Sequence, residues 1–168
     1  MEEKQIVNRV ANSNLKIVNL EDYYPKGTRV LLDMKIWLYQ GEVLREKDFR
    51  NFLNEYDWSK LEGSYVAIHC STDAIVPIWA YLLVTSKASP FANIVVVGDL
   101  EVLEQILFYK AIDELSFNEL KGHSIIIKGC NDKNIPAGAF TYLISRIQPI
   151  AKSIMYGEAC SAVPIYKR

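Results

Sequence analysis

The sequence predicts an α/β fold: a mainly parallel sheet with helices on both faces, built from an internal β-α-β-α repeat of about 59 residues. An ungapped shift of 59 residues, the separation of Pro77 from Pro136, also superposes Pro90 on Pro149, Gly63 on Gly122 and Gly98 on Gly157. The same shift repeats Glu42-Val-Leu44 as Glu101-Val-Leu103, Phe49 as Phe108, Leu61 as Leu120 and Asp73 as Asp132. Within each copy, β-branched runs alternate with segments whose apolar residues recur at helical spacing, the order expected of parallel strands joined by helices.

The elements follow in chain order. Residues 1–30 read as an appended helix and loop, with Tyr23-Tyr24-Pro25 at its end. Asp33 to Tyr39 aligns with the strand that opens the second copy, although its two charges also suit a short helix or an edge. Val43, Leu44, Phe49, Phe52 and Leu53 mark an amphipathic helix. Tyr65 to Ile68 is a buried strand that runs into Cys70. Asp73 is placed to cap the next helix, with Pro77 in its first turn and its end near Pro90. Ile94 to Val97 then opens the second copy. A helix through Val102, Leu103, Ile106, Leu107, Ala111 and Ile112 follows, and a strand over Ile125 to Ile127 leads to Cys130. Asp132 and Pro136 start the next helix, which ends near Pro149, and Ile154-Met-Tyr156 opens a partial third copy. The reading is one α/β domain over 1–168, with the extension at 1–30 and repeat units at 33–91, 92–150 and 151–168.

Composition bounds the function. Nineteen Lys plus Arg against twenty Asp plus Glu give a formal charge of −1, so no basic field exists to hold a phosphate backbone, and nucleic acid is not an expected partner. Apolar runs fall far short of the ~20 residues of a membrane helix, and Met1-Glu-Glu-Lys4 starts no signal peptide, so a cytoplasmic protein without a membrane partner is expected. Neither G-x-G-x-x-G nor G-x-x-x-x-G-K-[ST] occurs, which removes those phosphate-binding loops.

Three cysteines, Cys70, Cys130 and Cys160, carry the sharpest functional question. An odd number without a secretory signal argues against a disulfide framework. In an open parallel sheet ligands bind beyond the carboxyl ends of the strands, and all three cysteines are expected there, with Asp73, Asp99 and Glu158. Cys70 and Cys130 precede helix N-termini, which favour thiolate. Three converging thiolates with one open position suit zinc, with Asp73 or Glu158 preferred over His69 as fourth ligand; a three-cysteine iron–sulfur cluster is the alternative. Two other readings stand beside this one. In the first, the cysteines are buried core residues, since cysteine packs as a small hydrophobe. In the second, Cys70 or Cys130 does thiol or persulfide chemistry. Capping accounts for Asp73 and Asp132 without any ligand role, and turn formation or capping of the next helix accounts for Asp99 and Glu158.

Three phrases, Val66 to Tyr81, Lys128-Gly-Cys130 and Gly157 to Lys167, together with Leu44 to Arg50 and Asp57-Trp58, resemble a bacterial family of unknown function, domain of unknown function 2480. The resemblance spans about Asn19 to Lys167. It implies no activity, but the matching phrases centre on Cys70, Asp73, Cys130, Glu158 and Cys160. The leading expectation is a cytoplasmic metal-binding protein, which as an enzyme would use the metal's open position on a small-molecule ligand. The competing expectation is a non-enzymatic interaction module, such as a homodimer formed through an exposed apolar patch. Whether the protein is an enzyme is left open by the sequence.

Overall fold

A computed structural model describes residues 15–129, 133–158 and 160–168. Among the described residues the chain forms an α/β fold with four α-helices and two separate sheets of mostly parallel strands. It divides into two compact units. One is Pro25–Leu107, and the other combines Met1–Tyr24 with Phe108–Arg168. The first is termed the inserted unit and the second the split unit.

In the inserted unit, β2 (Arg29–Asp33), β3 (Tyr65–His69) and β4 (Ile94–Val97) form a parallel sheet in the order β2-β3-β4. The connections are α1 (Glu46–Glu55) and α2 (Ile78–Ala88). Because the strand order is sequential and parallel crossovers are right-handed, both helices lie on one face of the sheet. Phe49 and Leu53 of α1 and Ala80, Val84 and Ala88 of α2 are buried there against Leu32, Val66 and Ile68. Trp37 and Trp58 close the same core, and the Trp58 indole donates to the Leu53 carbonyl at 2.8 Å, which satisfies its buried N–H. Alternation along the strands sends Tyr65, Ala67, Ile94 and Val96 to the opposite face, where Leu103 and Leu107 of α3 (Leu100–Asp113) cover them. The inserted unit therefore carries helices on both faces.

The split unit holds β1 (Leu15–Asn19), β5 (Ser124–Lys128), β6 (Ser153–Tyr156) and β7 (Val163–Lys167), in the order β1-β5-β6-β7 with only β7 antiparallel. Its core joins Phe108 and Ile112 of α3 and Ala139, Leu143 and Ile147 of α4 (Ala137–Ile147) to Val18, Ile125, Ile127 and Ile154 of the sheet. The boundary between the units falls within α3.

Several expectations are corrected. There are two sheets in place of one, and Ile94–Val97 pairs with β3 as the last strand of its sheet. The Ile154 run likewise pairs with β5. The first strand of the inserted unit is Arg29–Asp33, and Met34–Trp37 is a 3-10 turn. The Asp33 carboxylate accepts from the Lys35 N–H at 3.0 Å, so the residue that ends the strand also starts the turn. Within the expected N-terminal extension, Leu15–Asn19 is a strand paired with β5, and residues 1–14 lie outside the described residues. The helix ends near Pro90 and Pro149 are as read, at Ala88 and Ile147. No helix of the described residues is long and apolar enough to cross a membrane.

Candidate functional site

Cys70 directly follows β3, at the carboxyl end where the sequence places it. It is half-buried, packs against the core of the inserted unit, and its Sγ lies 3.4 Å from Thr72 Oγ1. Burial, with the Cys70 sulfur as second cause, raises the Tyr81 hydroxyl above its ordinary pKa. A group that sequence reasoning missed closes the adjacent strand end. Asp33, the last residue of β2, accepts from Ser71 Oγ at 2.6 Å and from the Ser71 N–H at 3.1 Å, while His69 Nε2 lies 4.0 Å away. Burial tends to raise the Asp33 pKa, but the Ser71 and Lys35 hydrogen bonds and the nearby imidazole outweigh it and hold the carboxyl below its usual range. No local signal announced the pair, since Asp33 and Ser71 are 38 residues apart and meet only through β2–β3 pairing.

The expected helix cap at Asp73 is not formed. α2 starts at Ile78 with Pro77 as its N-cap and no side-chain capping bond, and Asp73 is exposed in the loop before it. Asp99 does cap: its carboxylate accepts from the Val102 N–H at 2.9 Å at the start of α3.

In the split unit, Glu158 follows β6 and forms an ion pair with Lys128 at the end of the neighbouring β5. Cys160 is exposed, which corrects the picture of three buried thiols. Cys130 and Asp132 lie outside the described residues. Of the described candidate ligands, Cys70 and Asp73 belong to the inserted unit and Glu158 and Cys160 to the split unit. Among the described residues, no group of three or more His, Cys, Asp or Glu side chains is placed to hold a metal ion. Sheet topology adds a reason to look elsewhere. A ligand crevice opens in such sheets where the strand order reverses and adjacent loops diverge. The parallel strands run β2-β3-β4 in one sheet and β1-β5-β6 in the other, with no reversal.

The pronounced chemical anomaly lies on α2. Trp79 meets Phe49 of α1 edge-on at 5.9 Å, Arg50 of α1 stacks over Trp79, and Lys87 donates to Asn54 at 3.1 Å, so one flank of α2 faces α1. Ala80, Val84 and Ala88 face the sheet. The remaining flank and the turn leading into it present Ile75, Ile78 and Leu82 to solvent at 92%, 71% and 62% exposure. Burying an isoleucine or leucine is worth roughly 1.5–3 kcal/mol, so three left in water forgo several kilocalories. Positions 59 residues later, before and along α4, are also exposed but hold Asn134, Ala137 and Thr141. The fold itself therefore does not require apolar residues there. A signal was present in the sequence: Ala74 to Val84 is apolar almost throughout, the mark of a helix covered on all sides, whereas α2 is covered on two.

The β4 edge adjoins this flank. β1 carries Lys16, β2 carries Arg29 and Asp33, and β7 carries Pro164, Lys167 and a register shift opposite Ile154 and Met155. Charges, prolines and bulges of this kind blunt sheet edges against further pairing. β4 is Ile-Val-Val-Val and has none of them.

No curated protein and no solved structure matches the chain. A family model described as a protein of unknown function (DUF2480) matches residues 4–168. The chain belongs to the DUF2480 family.

Proposed function

We propose that the protein acts by docking another polypeptide through the inserted unit, and that its contact surface is the exposed flank of α2 beside the edge of β4. The observation that carries this reading is the exposed Ile75, Ile78 and Leu82, uncharged and apolar where the corresponding exposed positions hold Asn134, Ala137 and Thr141. Large apolar side chains grouped in the open where a fold does not require them mark an interaction site. On this reading Cys70 is a packing residue, held by the core and by Thr72, and the Glu158 carboxylate serves Lys128. We further infer that the units derive from one duplicated module. In support, β3, α2 and β4 begin at 65, 78 and 94, and β5, α4 and β6 begin at 124, 137 and 153, the same shift that aligns the sequence with itself.

A photo-reactive side chain placed at Ile78, with a second at Thr141 as control, tests the docking reading in living cells. A discrete protein adduct from position 78 and none from position 141 is expected. Equal labelling at both positions, or none at 78, overturns it.

A further inference from the structure

We infer that the polypeptide docked on this surface is a second copy of the same chain, joined by antiparallel pairing of β4 with its symmetry mate into one continuous sheet of six strands. The inference rests on the docking reading and supplies its partner.

Three observations lead to it. First, the two sheets share a parallel core of three strands and differ at the far side of the last one. In the split unit β6 is covered there by an antiparallel strand, β7. In the inserted unit β4 has β3 on one side, and among the described residues no strand on the other. What a β4 edge lacks, by comparison with β6, is an antiparallel partner. Second, β4 is the edge strand without a charge, proline or bulge. The Gly98 N–H donates to the Ile68 carbonyl at 2.9 Å and Val97 is paired with Ile68, so alternation turns the N–H groups of Val95 and Val97 toward the open edge. An isologous contact requires a surface complementary to itself, and an antiparallel pair of identical β-branched strands meets that requirement with no like charges opposed.

Third, the apolar flank of α2 lies on the correct side. α1 bridges β2 to β3 and α2 bridges β3 to β4, so the α2 flank turned away from α1 is the one beside the β4 edge. A twofold axis perpendicular to the sheet keeps both α2 helices on the same face and sets them flank to flank. Ile78 and Leu82 of each copy then bury against those of the other, and Ser89, exposed on the side of Ile78, is small enough for close approach. A strand of four residues offers too little area for a stable dimer, for which about 800 Å² per partner is usual, so the proposed contact includes the helix flank as well as the strand.

The test uses the full chain. Sedimentation equilibrium at micromolar concentration is expected to give the mass of a dimer for the wild type. Ile78→Glu buries a charge at the helix contact, and Val97→Pro removes an outward N–H while leaving the ladder to β3 intact. Each is expected to lower the mass about twofold with an unchanged far-ultraviolet spectrum. A wild type that sediments as a monomer at every concentration overturns self-association, as does a dimer that survives both substitutions in folded protein. The photo-adduct at position 78 separates the two claims. If it forms with a different protein while the purified chain is monomeric, the docking reading stands and the second copy does not. If no adduct forms, both fail.

Discussion

Asp33 joins the ends of two strands by accepting three hydrogen bonds, two of them from Ser71. Its folded-state pKa is lowered, so its stabilisation is fully present above the ordinary carboxylate range and is lost as pH falls through the lowered value. Ser71→Ala is expected to lower stability by about 1 kcal/mol at neutral pH, read from urea midpoints. The deficit should shrink toward zero as acid protonates Asp33; a deficit constant with pH would show that the Ser71 contact does not depend on the carboxylate charge. At this scale the sequence was informative where the cause is local. Cys70 stands at a strand end because a β-branched run leads into it, and Asp99 caps because it immediately precedes a helix. It was silent where the cause is distant: neither the Asp33–Ser71 clasp nor the Glu158–Lys128 pair has a signature in adjacent residues.

Helices and strands were legible mainly through periodicity and punctuation. Pro77 and Pro136 immediately precede α2 and α4, and the run Ile94–Val97 is a strand as its branching predicts. Which sheet that strand joins was not legible, because pairing is settled by crossover geometry and not by the strand's own residues. Asp73 illustrates a further limit. Its type suits a cap, but α2 begins five residues later at Ile78, beyond reach of its side chain. Asp99 is the cap that forms, and Asp99→Ala is expected to cost about 1 kcal/mol, seen as a lower urea midpoint with unchanged slope. An unaltered midpoint would remove the capping assignment at the start of α3.

On the scale of the whole chain, the prediction of an α/β class with parallel strands holds, and the single sheet gives way to two. The compact units cut across the expected sequence order, since β1 joins a sheet whose other strands come from beyond residue 108. Shared spacing between the units is what makes their differences informative: among the described residues one sheet ends in β7 and the other in β4, and one helix exposes threonine where the other exposes leucine. In the proposed dimer these two departures belong to one surface. Amide hydrogen exchange at Val95 and Val97 tests that claim most directly, because their N–H groups point to the β4 edge. Protection that rises with protein concentration at these two amides, and is lost in Ile78→Glu, is the predicted result. Fast exchange at both amides at every concentration would contradict it.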